Sequence, residues 1–353
     1  MKTKHLFFIL FLIIDFKSFA QSGWTIQQSK TKEGLYSVFF SNTENGYAVG
    51  NRGTILKTNN GGVQWIADTV QDNGNFTSLF SIKNMTYVVG RGFLTTPKTH
   101  LGGGLIFKTK DMMANWSVTK TDYGEYLNYL YSIYFVNSDT GYIVGQCGLI
   151  LKTIDGGENW IVKSLLRQDE EQYDLKSVYF INANTGYAVG GKNKGMILKT
   201  IDGGETWIKK SCKSNQTLNS TFFINSKIGY AVGGTPFGEN GIILKTIDAG
   251  EGWIEQTYPK LDKEKYELES IFFNDSATGY AVGGSVIIDT VKNLMHVSKV
   301  DGLILKTNDG GKTWIRQNSG VDKVLLSVFF TDYNNGYIVG DGGVILKTMT
   351  GGK

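Results

Sequence analysis

The sequence predicts an all-β protein, namely a seven-bladed β-propeller with four-stranded blades that is closed into a ring by its N-terminal strand. Three observations predict this fold. A segment similar to Gly-Tyr-Ala-Val-Gly recurs along the 353 residues, a segment similar to Ile-Leu-Lys-Thr follows each copy, and all 7 Trp residues stand at one place in the repeated unit. The unit is about 48 residues long and lacks a sustained helical spacing of apolar residues, as is typical of a propeller blade.

Each unit contains four short β-type segments, which we call strands A to D. Strand A opens with a hydroxyl residue ten positions before the repeated Tyr, and strand B is the Gly-Tyr-Ala-Val-Gly segment. Strand C ends in Lys-Thr, strand D begins at the Trp, and turns rich in Gly, Asn and Asp separate the strands. The hydroxyl residues that this spacing places at equivalent positions are Ser37, Thr77, Ser132, Ser177, Ser220, Ser270 and Ser327.

The phase of the repeat predicts how the ring closes. The chain reaches Lys353 after strand C of the seventh unit, before the Trp of that unit is due. Trp24, by contrast, precedes the first complete unit and reads as an unpaired strand D. Because an open ring would leave two sheet edges bare, we expect this N-terminal strand to complete the last blade. Residues 21–353 should then form a single propeller domain.

The first 20 residues have the features of a signal peptide. Two Lys residues precede an apolar run over residues 6–14, and small residues, Ser18 and Ala20, stand where a cleavage site requires them. The apolar run is too short to span a bilayer, so we expect no membrane span. We expect cleavage before Gln21 and export, with the protein periplasmic or secreted.

Composition excludes several classes of function. The formal net charge of +4 is too small to indicate a nucleic-acid partner. The chain has 2 Cys and 3 His without metal-ligand spacing, and no Gly-rich loop precedes a helix, so we expect neither a metal site nor a cofactor. Cys147 and Cys212 could pair in an oxidising compartment, but the sequence does not fix their separation.

The turn between strands C and D carries an Asp in five units. A carboxylate at this position can accept hydrogen bonds from backbone N–H groups of its own turn, while the following Gly residues supply positive φ. Because five carboxylates at five equivalent turns cannot share one active site, we interpret them as structural. They are Asp111, Asp155, Asp202, Asp248 and Asp309, and Asn60 and Thr350 replace the Asp in the first and last units.

This turn resembles the Asp-box, or BNR-type repeat, of sialidases and other propellers. The whole unit, with Gly-Tyr-Ala-Val-Gly before Gly-x-Ile-Leu-Lys-Thr-x-Asp-Gly-Gly-x-Thr-Trp, is similar to the photosystem II stability/assembly factor family over residues 24–353. The resemblance implies a seven-bladed propeller that is not catalytic and binds a protein partner. Photosynthetic members carry an Arg-rich patch, whereas this chain has four scattered Arg residues, so their particular partner is not implied.

We therefore expect an exported, non-catalytic scaffold for protein interaction or assembly, and we assign no catalytic residue. A sialidase needs three convergent Arg residues, and a glycosidase needs two convergent carboxylates. Glu269, Asp169, Glu170 and Asp122 could converge only through loop folding that the sequence does not reveal. The alternative function is that of a glycan-binding or glycoside-hydrolase propeller of the Asp-box type.

Loop lengths predict which face binds. The A–B and C–D turns are nearly uniform, so most variation falls on the opposite face, in the B–C and D–A connections. Variable loops on a rigid scaffold are where binding residues are usually found. Two insertions lie there, at residues 91–104 and 285–301. The candidate binding residues from these loops are Arg91, Tyr123, Tyr126 and Tyr173.

A second group of candidates lies at the mouth of the central channel. The residue just before each strand-A hydroxyl differs between units, although its neighbours repeat, and these residues are Tyr36, Phe76, Tyr131, Lys176, Asn219, Glu269 and Leu326. We predict that Tyr36, Tyr131, Lys176 and Glu269 face a ligand. The expected partner is a protein of the cell envelope or outside the cell, or a glycan.

Overall fold

The computed structural model describes residues 23–69, 74–92, 103–110, 115–121, 129–164, 173–234, 241–259, 264–291 and 294–353. The predicted signal peptide (residues 1–20), Asp111, Tyr123 and Tyr126 lie outside the described residues. The described residues form seven four-stranded antiparallel sheets, with neighbouring blades in contact around a ring. The all-β, seven-bladed fold is as predicted.

The strands, numbered in chain order, begin with β1 (Thr25–Gln27). Blade one contains β2 (Leu35–Phe40), β3 (Gly46–Gly50), β4 (Thr54–Thr58) and β5 (Ile66–Thr69), and blade two contains β6 (Asn75–Ile82), β7 (Met85–Arg91), β8 (Gly104–Thr109) and β9 (Ser117–Thr121). Blade three contains β10 (Leu130–Phe135), β11 (Gly141–Gly145), β12 (Ile150–Thr153) and β13 (Ile161–Ser164), and blade four contains β14 (Asp174–Phe180), β15 (Gly186–Gly191), β16 (Gly195–Thr200) and β17 (Ile208–Lys210).

The remaining three blades follow the same order. Blade five contains β18 (Leu218–Phe223), β19 (Gly229–Gly233), β20 (Ile242–Thr246) and β21 (Ile254–Glu255). Blade six contains β22 (Glu264–Phe273), β23 (Gly279–Val291), β24 (Leu294–Thr307) and β25 (Ile315–Asn318), and blade seven contains β26 (Leu325–Phe330), β27 (Gly336–Gly340) and β28 (Ile345–Thr348).

The N-terminal strand closes the ring, as predicted. Blade seven has the strand order β1-β28-β27-β26, and β1 runs antiparallel to β28 with Thr25 opposite Lys347. Trp24, just before β1, is buried between the rings of Tyr280 and Phe330. The two ends of the chain are therefore held in one sheet.

A ring of serine hydroxyls joins neighbouring blades around the channel. The backbone N–H that follows each serine donates 3.3 Å to the serine Oγ of the preceding blade, and the acceptors are Ser37, Ser78, Ser132, Ser177, Ser220, Ser270 and Ser327. The prediction of Thr77 at this position was wrong. Blade two joins its first two strands by a two-residue turn after Ile82, which is shorter than the other A–B turns, so counting ten residues back from Tyr87 misses Ser78 by one.

Aromatic packing between blades builds the core. Tyr337 of blade seven stacks on Phe40 of blade one at 3.8 Å between centroids, and its hydroxyl donates to the carbonyl of Gly61 in the C–D turn of blade one. Trp65 packs edge-on against the same Phe40 at 5.9 Å. Equivalent Tyr, Phe and Trp residues make these contacts at other blade junctions. The repeated aromatics therefore serve the scaffold.

Blade six departs from the regular blade. Residues 285–301, which the sequence analysis treats as a long surface loop, form an extension of the sheet, because β23 and β24 stay paired from Gly279 opposite Thr307 to Val291 opposite Leu294. This correction has a simple cause, since β-branched residues such as the consecutive Val286, Ile287 and Ile288 favour strands. Strand β22 also pairs with β23 as far as Ile287. Blade six thus carries a β-ribbon beyond the ring.

Two further features bear on the sequence predictions. Cys147 and Cys212 are both free thiols, so the disulfide that the sequence left open is not formed. In the part of the chain that the structure describes, no helix has the length and apolar character needed to cross a bilayer.

Candidate binding site at the mouth of the channel

Each innermost strand begins with a β-bulge at the mouth of the channel. In blade one, Leu35 pairs with Gly50 and Ser37 with Val49, so Tyr36 is the extra residue. A Cβ on Gly50 would overlap a backbone carbonyl oxygen of the connection before β2. The same crowding occurs at the equivalent Gly of every blade. The last Gly of Gly-Tyr-Ala-Val-Gly is therefore what allows the bulge.

The bulged residues are the ones that the repeat leaves unspecified. Because a bulge re-aims the side chain that it carries, this position can differ between blades while the pairing on either side stays the same. The bulged residues are Tyr36, Thr77, Tyr131, Lys176, Asn219, Glu269 and Leu326. Phe76 was wrongly predicted to be among them, because the shorter turn of blade two shifts the count. Phe76 is fully buried, and Thr77 takes its place at the mouth.

The bulged side chains line a cavity of about 870 Å³. The cavity opens on the face formed by the B–C and D–A connections, where the sequence analysis places binding. Five candidate residues share its wall, namely Tyr36, Tyr131, Tyr173, Lys176 and Glu269. The structure thus brings together residues from blades one, three, four and six. Their role in binding a ligand stays a prediction.

One wall of the mouth is a layered stack of two cations and two aromatic rings, which we call the cation–tyrosine stack. The Arg91 guanidinium lies 4.4 Å from the centroid of the Tyr129 ring. Tyr129 and Tyr131 are parallel to within 5°, with centroids 5.8 Å apart. The Lys176 ammonium lies 3.4 Å from the centroid of Tyr131. Arg91, the candidate from the first insertion, therefore reaches the mouth through Tyr129, to whose hydroxyl it also donates a hydrogen bond.

Asp174 holds this stack in place. Its carboxylate accepts hydrogen bonds from the Tyr131 hydroxyl at 3.0 Å, from Lys176 Nζ at 3.2 Å and from the backbone N–H of Cys147 at 3.3 Å. Burial and then the neighbouring Asp174 carboxylate raise the pKa of Tyr131, so its hydroxyl stays protonated and donates. Burial lowers the pKa of Lys176, and the attraction of Asp174 opposes this effect. The cation is therefore pre-oriented by contacts inside the protein.

A second wall, which we call the acidic wall, consists of Glu267 and Glu269 on β22. The two carboxyl groups hydrogen-bond to each other, and Glu267 also interacts with the Asn219 side chain. Burial, then repulsion by Glu267, raises the pKa of Glu269 well above its ordinary value, and burial also raises the pKa of Glu267. Asp341 of blade seven adds a further negative charge nearby. Charge is thus separated across the mouth, with the cation–tyrosine stack in blades two to four and the acidic wall in blade six.

Sequence reasoning missed three residues of the site: Tyr129, Asp174 and Glu267. A usable signal existed for all three, since they stand two positions before the predicted Tyr131, Lys176 and Glu269. Residues two apart on a strand lie on the same face, so all three could have been included. The contact of Asp174 with Tyr131 carried no such signal, because the two residues are 43 positions apart in the chain.

The Asp-box carboxylates act within their own turns on the opposite face. In blade four, Asp202 Oδ1 accepts hydrogen bonds from the Thr200 hydroxyl at 2.8 Å and from the Thr206 backbone N–H at 2.9 Å. The Thr206 hydroxyl donates to Asp202 Oδ2 at 2.6 Å. This bond, followed by those from the Thr206 N–H and the Thr200 hydroxyl, lowers the pKa of Asp202 to about 2. Asp155, Asp248 and Asp309 accept equivalent bonds. In blade one, Asn60 Oδ1 accepts the same pair of bonds, and Thr350 of blade seven accepts only longer ones.

The described residues contain no group of His, Cys, Asp or Glu side chains that could hold a metal ion. The side chains that line the mouth include charged groups, hydroxyls, amides and aromatic rings. Such a lining can recognise a polar segment of a ligand by hydrogen bonds and ion pairs.

Comparison with known proteins points to one family. The family model for photosynthesis system II assembly factor YCF48 matches residues 16–120 and 108–218, which together are more than half of the chain. No curated protein matches the chain.

Several solved structures have a similar fold. The structure "YCF48 bound to D1 peptide" is 18% identical, with 93% of this chain and 96% of that chain covered and a TM-score of 0.70. YCF48 from Cyanidioschyzon merolae is 20% identical, with 92% and 98% covered and a TM-score of 0.67. The GH74 enzyme of Niastella koreensis is 14% identical, with 91% of this chain but 53% of that chain covered and a TM-score of 0.65. At these identities the likeness extends to the fold alone.

Proposed function

Because the chain belongs to the family of photosynthesis system II assembly factor YCF48, we propose that it is a non-catalytic scaffold that binds a segment of a protein partner at the mouth of its channel. The YCF48 structure that contains a D1 peptide supports a peptide as the class of ligand. Nothing in this chain identifies the same peptide as its ligand, since the described residues that line the mouth include only two cations, Lys176 and Lys192.

The observation that carries the proposal is the break in the repeat at the mouth. Blade packing repeats the same Tyr, Phe, Trp and Ser residues around the ring, yet the seven bulged positions carry Tyr, Thr, Lys, Asn, Glu and Leu. These unlike side chains line one preformed cavity. Since packing alone would not require this variety, the mouth is the part of the surface best suited to specific recognition.

The geometry of the acidic wall argues against glycoside hydrolysis. A glycosidase holds its two carboxyl groups roughly 5–9.5 Å apart, so that a sugar and, in inverting enzymes, a water molecule fit between them. Glu267 and Glu269 instead hydrogen-bond to each other. They are too close to act on opposite sides of a glycosidic bond.

Two of the four tyrosines that line the mouth, Tyr129 and Tyr131, are poorly suited to stacking on a sugar ring. Tyr129 is covered on one face by Arg91 and on the other by Tyr131. Tyr131 in turn lies between Tyr129 and Lys176. No free face of either ring is left for a glycan, so the glycan-binding alternative is less well supported than a protein partner.

The proposal includes export. Residues 1–20 have the charge, apolar run and small residues of a cleaved signal peptide, which supports a periplasmic or secreted protein and a partner in the envelope or outside the cell. Mass spectrometry of the protein from its native host should show Gln21 as the first residue. An intact Met1 would refute this part of the proposal.

Photo-crosslinking tests where the partner binds. The full-length protein would carry p-benzoylphenylalanine in place of Tyr36 at the mouth or, as a control, in place of the exposed Tyr333 on the A–B face. Irradiation in the native envelope fraction should give a protein adduct from position 36 and none from position 333. Adducts from position 333 alone would refute binding at the mouth. Release of sugar from sialosides or β-glucans that is lost in Glu269→Gln would instead establish the hydrolase alternative.

A further inference from the structure

The acidic wall forms no salt bridge with a cation of the described residues, although Lys176 in blade four attracts Glu269 without contacting it. Glu267 and Glu269 stand on the two sides of Leu268 in β22, and both line the cavity. Neither carboxylate forms a salt bridge with a residue that the structure describes, and the hydrogen bonds that they make are with each other and with the neutral Asn219. Two close carboxyl groups that are partly removed from water are stabilised by a proton or by a cation from outside.

The two cations of the cation–tyrosine stack are already engaged. Lys176 Nζ is held by the Asp174 carboxylate at 3.2 Å and lies against the Tyr131 ring. Arg91 lies on the Tyr129 ring and donates to its hydroxyl. Moving either side chain across the cavity to the acidic wall would break these contacts. Lys192 also lines the cavity but forms no salt bridge with either glutamate. The place beside the two glutamates is therefore left to a group of the ligand.

The channel below the acidic wall also suits a cation. The serine hydroxyls come first, and two residues deeper, about 7 Å along strand A, lies a closed ring of aromatic side chains. Neighbouring centroids in this ring are 4.9–5.4 Å apart, and its members are Phe39, Phe80, Tyr134, Tyr179, Phe222, Phe272 and Phe329. Hydroxyl oxygens and aromatic rings both interact favourably with a positive charge, and these two layers contain no cation of their own.

From this arrangement we infer, on the basis of the proposed function, that the bound peptide segment places a basic side chain, the ammonium of Lys or the guanidinium of Arg, against Glu267 and Glu269. The stem of that side chain lies over the mouth of the channel, and its charged head donates to the two carboxylates. A metal ion is a poorer fit, because the described residues supply no third carboxylate, His or Cys in a metal-binding group with these two.

The charge separation of the mouth also determines which side chains of the bound segment are disfavoured beside the acidic wall. An acidic side chain at this position would be repelled by Glu267, Glu269 and the nearby Asp341. A neutral side chain would leave a proton, instead of a cation, to stabilise the carboxylate pair. We therefore expect replacement of the basic side chain by an uncharged one of the same shape to weaken binding tenfold or more.

Selection from a displayed library of random heptapeptides tests the inference, because it makes no assumption about the partner. The library would be selected on the full-length protein and then on two matched variants. Glu267→Gln/Glu269→Gln removes the charges of the acidic wall, and Glu205→Gln/Glu251→Gln makes the same change on the Asp-box face. We expect peptides with one recurrent Lys or Arg whose capture is lost on the first variant and kept on the second.

Synthetic peptides then give the magnitude. In the best peptide, the recurrent basic residue is replaced by citrulline, which keeps the shape of Arg without its charge. On the wild-type protein, we expect the citrulline peptide to have a Kd at least tenfold higher than that of the basic peptide. On Glu267→Gln/Glu269→Gln, we expect the two peptides to have the same Kd. An Arg-to-citrulline change that leaves the wild-type Kd within twofold would overturn the inference.

Crosslinking at position 36 distinguishes failure of the basic-side-chain inference from failure of the proposed function. Peptides that crosslink at position 36 but share no basic residue would overturn the basic-side-chain inference and leave the proposed function standing. If no peptide crosslinks at position 36, both fall. A melting temperature of Glu267→Gln/Glu269→Gln equal to or above that of the wild type would show that lost capture does not come from unfolding.

Discussion

Replacing Trp24 by Ala should destabilise the whole propeller, although this residue lies near the end of the chain. Its indole is 3% exposed and packs edge-on against Tyr280 at 6.3 Å and Phe330 at 5.9 Å. Its Nε1–H donates to Gln317 Oε1 at 2.9 Å. These contacts come from blades six and seven, so the substitution would empty the junction at which the ring closes.

The expected magnitude follows from the burial. Truncating a fully buried Trp costs about 3–5 kcal/mol of the free energy of unfolding. The entropy of unfolding is roughly 2 cal/mol/K per residue, so for a propeller of this length 1 kcal/mol corresponds to about 1.4 °C. Trp24→Ala should therefore lower the melting temperature by about 4–7 °C.

Trp65→Ala is the matched control. Trp65 occupies the same place in blade one, is 1% exposed and packs edge-on against Phe40 at 5.9 Å, but its strand is internal to the chain. Calorimetry of both variants should give similar decreases in melting temperature. A melting temperature near that of the wild type for Trp24→Ala, beside a large decrease for Trp65→Ala, would refute the view that the N-terminal strand is an integral part of blade seven.

Three further predictions concern the Asp-box, the serine ring and the β-ribbon. Asp202→Ala should lower the melting temperature more than Asp202→Asn, because Asn60 makes the same two turn bonds with an amide. Because the turn lowers the pKa of Asp202 to about 2, the ionised carboxylate stabilises the folded protein at pH values above the ordinary Asp pKa. The difference in melting temperature between wild type and Asp202→Asn should therefore vanish as the pH falls from about 4 to 2. Ser270→Ala removes the acceptor of the Val328 N–H and should cost about 1 kcal/mol in urea unfolding. Replacing residues 286–300 with a short turn should leave the melting temperature within a few degrees, because the ribbon extends beyond the ring.

Each of these predictions has an outcome that contradicts it. A difference in melting temperature between wild type and Asp202→Asn that stays constant down to pH 2 would show that the charge of Asp202 does not act through its turn. A Ser270→Ala protein as stable as wild type would mean that the serine ring does not stabilise the blade junctions. Unfolding of the ribbon deletion would show that residues 286–300 are part of the core.

The number of blades and the closure could be predicted because both depend on local chemistry that every unit repeats. Trp24 stands before the first unit, and the seventh unit has no Trp after its strand C. These two observations predict which strand completes the last blade. The error at Phe76 and Thr77 arose where the repeat is irregular. The turn of blade two is shorter, and only pairing between strands reveals which residue takes the bulge.

The site could be predicted only in part, because its contacts join distant blades. Tyr131, Lys176 and Glu269 were identifiable as positions where the repeat stops specifying a residue. Three-dimensional packing determines the contacts between distant residues. Asp174 accepts hydrogen bonds from Tyr131 and Lys176, and Arg91 donates to Tyr129, which is 38 residues away in the chain. The sequence therefore indicates where the mouth lies, and the structure adds how its charges are separated.

The pairing of β1 with β28 sets an order of events during synthesis. Thr25 and Lys347 are 322 positions apart. At a synthesis rate of about 5–20 residues per second, β1 waits roughly 15–65 s before its partner strand exists. During that time the finished blades form an open array with a bare edge at each end, which can pair with another chain. A chain that stops before β28 thus remains such an array, and the synthesis of β28 decides whether the earlier blades become a closed ring.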